Sequence, residues 1–199
     1  MAQPLHSCLS IKFDMLRKTV TSIHPLSEAE LEQLEGICHE RSYAKGEHLF
    51  WSGDVCRGLY FVKQGVVGLY GLRDGKEIYQ DFFLDGQFAT DVSSLVSQEP
   101  SSLFLRAVEG STIKYIRRED LLGLYEQSSN FQHLGRKVLE QLLVGRTELS
   151  VRQSTLSAVE RYQYVLEHQP ALLERITLRH LATYLGMTRE TLSRVRRKK

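Results

Sequence analysis

Cysteine is scarce in this 199-residue chain, which has only Cys8, Cys38 and Cys56. Three widely spaced thiols make no disulfide framework, and they fall one short of a closed four-cysteine zinc or iron–sulfur site. The seven histidines show no metal-ligating spacing, so they read as surface or capping residues, and no metal or cofactor is expected. No apolar run approaches membrane-spanning length, and the N-terminus lacks a secretion-signal pattern. A cytoplasmic chain without a membrane partner is the expectation. Catalytic signatures are missing too: there is no phosphate-binding loop and no nucleophile elbow, so nothing points to an enzyme.

Charge is present, and it is unevenly placed. Residues 1–128 carry 13 Lys and Arg against 18 Asp and Glu, a balance of −5; residues 129–199 carry 13 against 6, a balance of +7. One end is suited to meet a polyanion and the other is not. With 42% hydrophobic and 25% charged residues, the chain can hold one large and one small core.

The basic end has a specific pattern. Leu178, Leu181 and Leu185 form an apolar face at helical spacing, with the small Ala182 where two helices would cross. Gly186 sits where a left-handed turn is cheapest, Thr188 can cap the next helix, and Leu192 and Val195 would face inward. This spacing predicts a helix-turn-helix. Arg189, Glu190, Ser193 and Arg194 remain on the outer face of its second helix, followed by Arg196, Arg197, Lys198 and Lys199. Thr188, Arg189, Glu190, Ser193, Arg194, Arg196, Arg197 and Lys198 are therefore the candidate contacts to double-stranded DNA.

Towards the front, Ile11 to Ile23 is amphipathic, and Ser27 with Glu30 forms a capping box opening a helix to about His39. From Tyr43 the texture turns to recurrent glycines with short strand-like runs between them. Leu59 to Val62 and Val66 to Tyr70 are examples, Asp74-Gly75 is a hairpin turn, and Leu103 to Val108 and Thr112 to Ile116 close the set. Such runs predict a sandwich or jelly-roll barrel. A long helix is expected from near Asn130 to about Thr155. Its heptad series Leu142, Leu149 and Leu156, interleaved with Val138, Gly145, Arg152 and Val159, reads as a homodimer seam. A second stripe, Leu139, Leu143, Arg146 and Ser150, is then left to face the barrel.

The expected class is α+β: an N-terminal jelly-roll sensor unit over 1–128, a dimerisation helix over 129–156 and a helix-turn-helix unit over 157–199. This order resembles the CRP/FNR superfamily of bacterial transcription regulators. The resemblance rests on Lys45 to Asp54, Leu59 to Gly65 and Gly86-Gln87-Phe88 in the barrel, and on the block Arg189-Glu190-Thr191-Leu192-Ser193-Arg194. It implies a Glu190–Arg194 couple reading a G·C pair. Arg189 resembles a guanine contact of the cyclic-AMP receptor branch, and Ser193 a position used in the fumarate–nitrate branch. A TGA-like half-site core in a near-palindromic operator follows from it, with RNA polymerase left open as a further partner.

Two departures from the family stand out. The segment His168 to Arg175 is too short for the hairpin that usually precedes the helix-turn-helix. The nucleotide pocket is also altered: Asp91 stands where a glutamate is expected, Thr90 replaces a glycine, and Ser101 falls where the phosphate-binding arginine should be. Burying a phosphate without a cation is costly, so cyclic AMP is not expected as the effector. Phe88, Asp91, Ser101, Ser102, Arg146 and Thr147 remain as a candidate pocket for a different effector. Arg146 is either the anchor for an anion or the partner of a barrel carboxylate such as Asp91. A module whose main role is cyclic-nucleotide sensing is the alternative reading, and it has no use for the basic terminus.

Overall fold

The structure is a computed structural model and describes residues 15–197. Cys8, the first residues of the amphipathic N-terminal segment and Lys198 lie outside that range. Two helices, α1 (Met15–Ile23) and α2 (Glu28–Gly36), lead into eight strands. These are β1 (Cys38–Tyr43), β2 (His48–Phe50), β3 (Gly58–Gln64), β4 (Val67–Arg73), β5 (Lys76–Phe83), β6 (Phe88–Ala89), β7 (Phe104–Ala107) and β8 (Ser111–Arg117), with α3 (Val92–Ser97) between β6 and β7. Helices α4 (Arg118–Gln127), α5 (Ser129–Thr155), α6 (Ala158–His168), α7 (Pro170–Arg175), α8 (Leu178–Tyr184) and α9 (Arg189–Arg197) complete the chain.

The strands form two four-stranded antiparallel sheets, β1-β8-β3-β6 and β2-β7-β4-β5. The expected hairpin joins β4 to β5, with Asp74 and Gly75 both at positive φ (52° and 71°), as the preferred two-residue hairpin turn requires. The capping box at Ser27 is formed with Glu30. Glu30 also accepts from Ser128 and Asn130, which fastens α2 to the start of α5, and these bonds with Ser27 hold its carboxyl down at about 2. Helix α2 is shorter than expected, since His39 already pairs with Tyr115 in the sheet.

Gly65 closes the β3–β4 turn at φ +115°, and a Cβ there would stand 2.7 Å from the Ser111 backbone. Backbone cannot swing aside as a flexible side chain would. Gly65→Ala should therefore destabilise the barrel by about 3 kcal/mol or more. Urea unfolding checks this, and an unchanged midpoint would contradict the packing described.

The long helix shows the largest departure from expectation. Its buried residues are Phe131, Leu134, Gly135, Val138 and Leu149, with Leu142 partly buried beside them. Val138, Leu142 and Leu149 of the heptad series expected between subunits thus lie on the inward face, while Gly145 and Val159 are exposed. Val138 and Leu142 pack on the barrel core, and Leu149 packs on residues of α6 to α9. The stripe assigned to the barrel faces it only in part, for Leu139 packs on the barrel core and Arg146 reaches Gln80 of β5, whereas Leu143 is 50% exposed and Ser150 is exposed. The opposite face of α5 instead presents Leu143, Val144, Thr147 and Val151 to solvent. Heptad spacing marks an apolar stripe but not the surface that covers it, and here the chain's own terminal helices cover it.

Those helices fold back onto the barrel. Val66, Tyr70, Tyr79, Phe82 and Val108 share one apolar cluster with Leu172, Leu181, Tyr184 and Leu192. Helix α8 lies along the edge strand β5, where Thr183 Oγ1 accepts from the Tyr79 backbone N–H at 3.4 Å. Where the sequence is too short for a hairpin, α7 stands instead, and its last residue, Arg175, pairs with both Asp85 and Glu109 of the barrel.

Candidate nucleic-acid interface

The turn between α8 and α9 is built as the residue pattern requires. Gly186 has φ +63°, its N–H reaches Thr183 O at 3.0 Å, and the Met187 N–H reaches Ala182 O at 2.9 Å. This paired closure satisfies the last carbonyls of α8 and turns the chain sharply. Arg161 supports the corner from α6 by donating to Leu185 O at 2.7 Å. Thr188 Oγ1 then accepts from the Thr191 N–H at 3.1 Å and caps α9.

Helix α9 divides cleanly into two faces. Leu192 and Val195 are buried, while Thr188, Arg189, Glu190, Ser193, Arg194, Arg196 and Arg197 are exposed. Leu181 and Leu185 are buried with Ala182 between them, but Leu178 is 38% exposed and lies at the margin. Glu190 and Arg194 stand one turn apart without a direct ion pair. Hydrogen bonds from its own N–H and from Thr188, with Arg189 and Arg194 nearby, hold the Glu190 carboxyl below its ordinary range. It is an acceptor at neutral pH, surrounded by donors.

A polar cluster fixes α8 on the barrel. Arg106 pairs bidentately with Glu77 at 2.8 Å and also donates to Tyr79, whose ring lies 4.6 Å from that of His180. His180 Nε2 is 3.8 Å from Glu77, and its Nδ1 is buried without a hydrogen-bond partner. Burial pushes the His180 imidazole below its ordinary value. Arg106, Arg179 and Lys45 add to this, and Glu77 opposes it. The unfolded chain then binds the extra proton more readily, so this contribution to stability is complete above about pH 6.5 and fades as pH falls through it. Asp81 acts in the opposite sense: burial raises its carboxyl to about 6, and its contribution is lost as pH rises. The sign for His180 is therefore read by comparison with His180→Phe. Between pH 7.5 and 5.5 the thermal midpoint of the wild type should fall further than that of the variant, and parallel curves would contradict the assignment.

The residues proposed for an effector pocket are not all brought together. Asp91 and Ser101 meet, with the Ser101 hydroxyl donating to Asp91 Oδ2 at 2.7 Å, and both are buried. Asp91 Oδ1 caps α3 through Ser93 N–H at 3.1 Å, so both carboxylate oxygens are used within the chain. Thr90 is bonded to Gly58 O at 3.1 Å and contacts Cys56 Sγ at 3.1 Å. Phe88 packs on Phe61 in the core, and Ser102 is exposed. Thr147 bonds back to Leu143 O at 2.8 Å on the far side of α5, and Arg146 donates to Gln80 of β5, not to Asp91. Arg106, engaged with Glu77, is committed elsewhere.

Two cavities lie along α5 in its place. One, of about 280 Å³, is lined by Asp81, Phe88, Leu142, Glu148, Arg152 and Tyr184. The other, of about 610 Å³, lies between β5, α5 and the α8–α9 turn and has Arg73, Gln80 and Arg146 in its walls. Arg73 and Gln80 had no distinguishing sequence signal, because the docking of α8 on β5 is what makes them a wall. Among the described residues no group of three or more His, Cys, Asp or Glu is placed to hold a metal. No helix there is long and apolar enough to cross a membrane.

Residues 40–128 match the cyclic nucleotide-binding domain family. The chain is 28% identical over 183 residues to the fumarate and nitrate reduction regulatory protein of Vibrio cholerae, covering 85% of this chain and 72% of that one. The same figures hold for the Escherichia coli K12 protein of that name. In architecture the chain resembles FixK2 of Bradyrhizobium japonicum, with a TM-score of 0.70 at 23% identity over 81% of this chain and 84% of that one. It also resembles the catabolite activator protein of Thermus thermophilus, with a TM-score of 0.57 at 25% identity over 90% and 85%. In sequence and in architecture the chain is thus similar to transcription regulators of the CRP/FNR type.

Proposed function

We propose that this regulator acts as a homodimer in which α9 of each subunit enters the DNA major groove at one half of a near-palindromic operator. The exposed row Arg189, Glu190, Ser193 and Arg194 on a helix anchored by buried Leu192 and Val195 carries the reading. Arginine can donate two hydrogen bonds to guanine and glutamate can accept from cytosine, so the row supplies the complementary groups for a G·C pair. Arg196, Arg197 and Lys198 act on phosphates, adding affinity without sequence choice. The half-site core is TGA-like, as the Arg189-to-Arg194 block implies.

Dimerisation is assigned to the exposed stripe of α5. A contiguous apolar row on a helix otherwise packed on one side is a surface in want of a partner. The working units are 1–128 for sensing, 129–156 for dimerisation and 157–199 for DNA reading. Cytoplasmic operation follows from a DNA target, and RNA polymerase is a further partner of such a complex. Catalysis has no place in this reading. Selection of binding duplexes from a random library tests it: paired TGA-like half-sites should be enriched, and enrichment without a shared motif would count against it.

A further inference from the structure

We propose that Arg161 and Gln153 lock the helix-turn-helix turn to the end of α5 and so set the half-site spacing that the dimer accepts. The lock bears on DNA only if α9 reads the major groove, the reading on which this proposal rests. Its geometry begins with the last carbonyls of α8. Leu181 O, Ala182 O and Thr183 O accept from the backbone N–H groups of Leu185, Met187 and Gly186. Tyr184 O, Leu185 O and Gly186 O come next and lie beyond the reach of the helix ladder. Gln153 Nε2 donates to Tyr184 O at 2.7 Å, and Arg161 Nη1 donates to Leu185 O at 2.7 Å and reaches Gly186 O at 3.4 Å. The same Nη1 lies 3.4 Å from Gln153 O, so one guanidinium joins α5, α6 and the turn. Gly186 admits this approach, for a Cβ there would stand 3.0 Å from Arg161 Nη1 and 3.5 Å from the Gln153 side chain. A cation at the C-terminal end of α8 also meets the partial negative charge of its aligned carbonyls.

The lock joins elements that the backbone connects only at length. From α5 the chain runs through α6, α7 and α8 before it reaches α9. Gln153 and Arg161 make the connection direct. Gln153 stands two residues after Val151 of the exposed dimer stripe, and Arg161 lies early in α6, past a connection of only Leu156 and Ser157. The placing of α5 at the dimer interface is thus passed to the turn that sets the direction of α9. Shifting the second half-site by one base pair moves it about 3.4 Å along the DNA axis and about 34° around it. A stiff lock denies α9 the freedom to follow, and the second contact then loses the advantage of being intramolecular.

Competition binding by the full chain tests this, with duplexes that carry both half-sites at the selected spacing or one base pair nearer or farther. The wild type should prefer the selected spacing by about tenfold or more. Gln153→Met and Arg161→Met, which keep the apolar stems and remove the donors, should each narrow that preference to about threefold or less. Arg161→Lys, which keeps the charge without the planar fork, should fall between. Gln163→Ala, exposed on the same helix, should leave the preference unchanged. A variant that is only less stable has fewer folded molecules and weakens all duplexes alike, so the ratio separates aim from stability. A full spacing preference in either methionine variant overturns the proposal, whatever happens to overall affinity. Should Arg161→Met fail to fold, Gln153→Met decides alone. A wild type that selects half-sites at no fixed spacing also overturns the lock, whereas one that selects no operator overturns the DNA reading beneath it.

Discussion

Arg194→Ala will lower specific DNA affinity by about 1–3 kcal/mol and relax the preference at a single base pair of each half-site. The side chain is exposed on α9 and makes no ion pair in the free protein, so its removal costs the fold nothing. Charge alone predicts a different outcome. If α9 acted only as a basic surface, loss of Arg194 would weaken all sequences alike, as truncating Arg197, Lys198 and Lys199 is expected to do. Competition assays with operator and mismatched duplexes separate the two. Full affinity with full selectivity in Arg194→Ala would remove α9 from the major groove.

Val151→Glu will give a folded monomer that loses operator binding. Val151 is 51% exposed, Val144 seven residues earlier is 55% exposed, and Leu143 and Thr147 complete the same face. A carboxylate at that position meets water in the monomer but would lie against apolar surface in the dimer. Separating the subunits turns the second half-site contact from an intramolecular event into a bimolecular one, a loss on the order of 100-fold or more in apparent affinity. Leu149→Glu makes the contrast. Leu149 is 7% exposed and packs on the chain's own terminal helices, so that variant should unfold or undock them, not simply dissociate. Sedimentation and circular dichroism on the pair check the assignment. A dimeric Val151→Glu would move the interface off this stripe.

The elements that sequence reads well here are those fixed by local chemistry. The capping box at Ser27, the hairpin at Asp74-Gly75 and the turn at Gly186 each depend on a few neighbouring residues whose side chains or φ angles admit few solutions. The division of α9 into Leu192 and Val195 against Arg189, Glu190, Ser193 and Arg194 is of the same kind. The two stripes of α5 are not local. Both are apolar at helical spacing, and which one meets the barrel depends on where α6 to α9 dock. That docking is carried by Tyr79, Phe82, His180 and Tyr184, residues that read separately as strand or helix core and show their relation only when β5 and α8 lie side by side. Arg146 follows the same logic. Its position on the helix was plain, but its neighbour Gln80 sits at a bulge in β5, where the register shifts between Leu69 and Tyr70. The resemblance puts Ser101 where a phosphate-binding arginine is expected, which pointed to a changed pocket. The mutual bond of Ser101 and Asp91 gives the physical form of that change, a polar pair satisfied without a ligand.

The central claim is that two copies of this chain read two half-sites through α9. Footprinting of the complex on a selected duplex, with stoichiometry measured on the same sample, tests it most directly. Two chains per duplex should protect two half-sites centred about 34 Å apart, one turn of the double helix, and methylation of the half-site guanines in the major groove should block binding. Protection of a single site by one chain, or binding indifferent to major-groove methylation, would contradict the account.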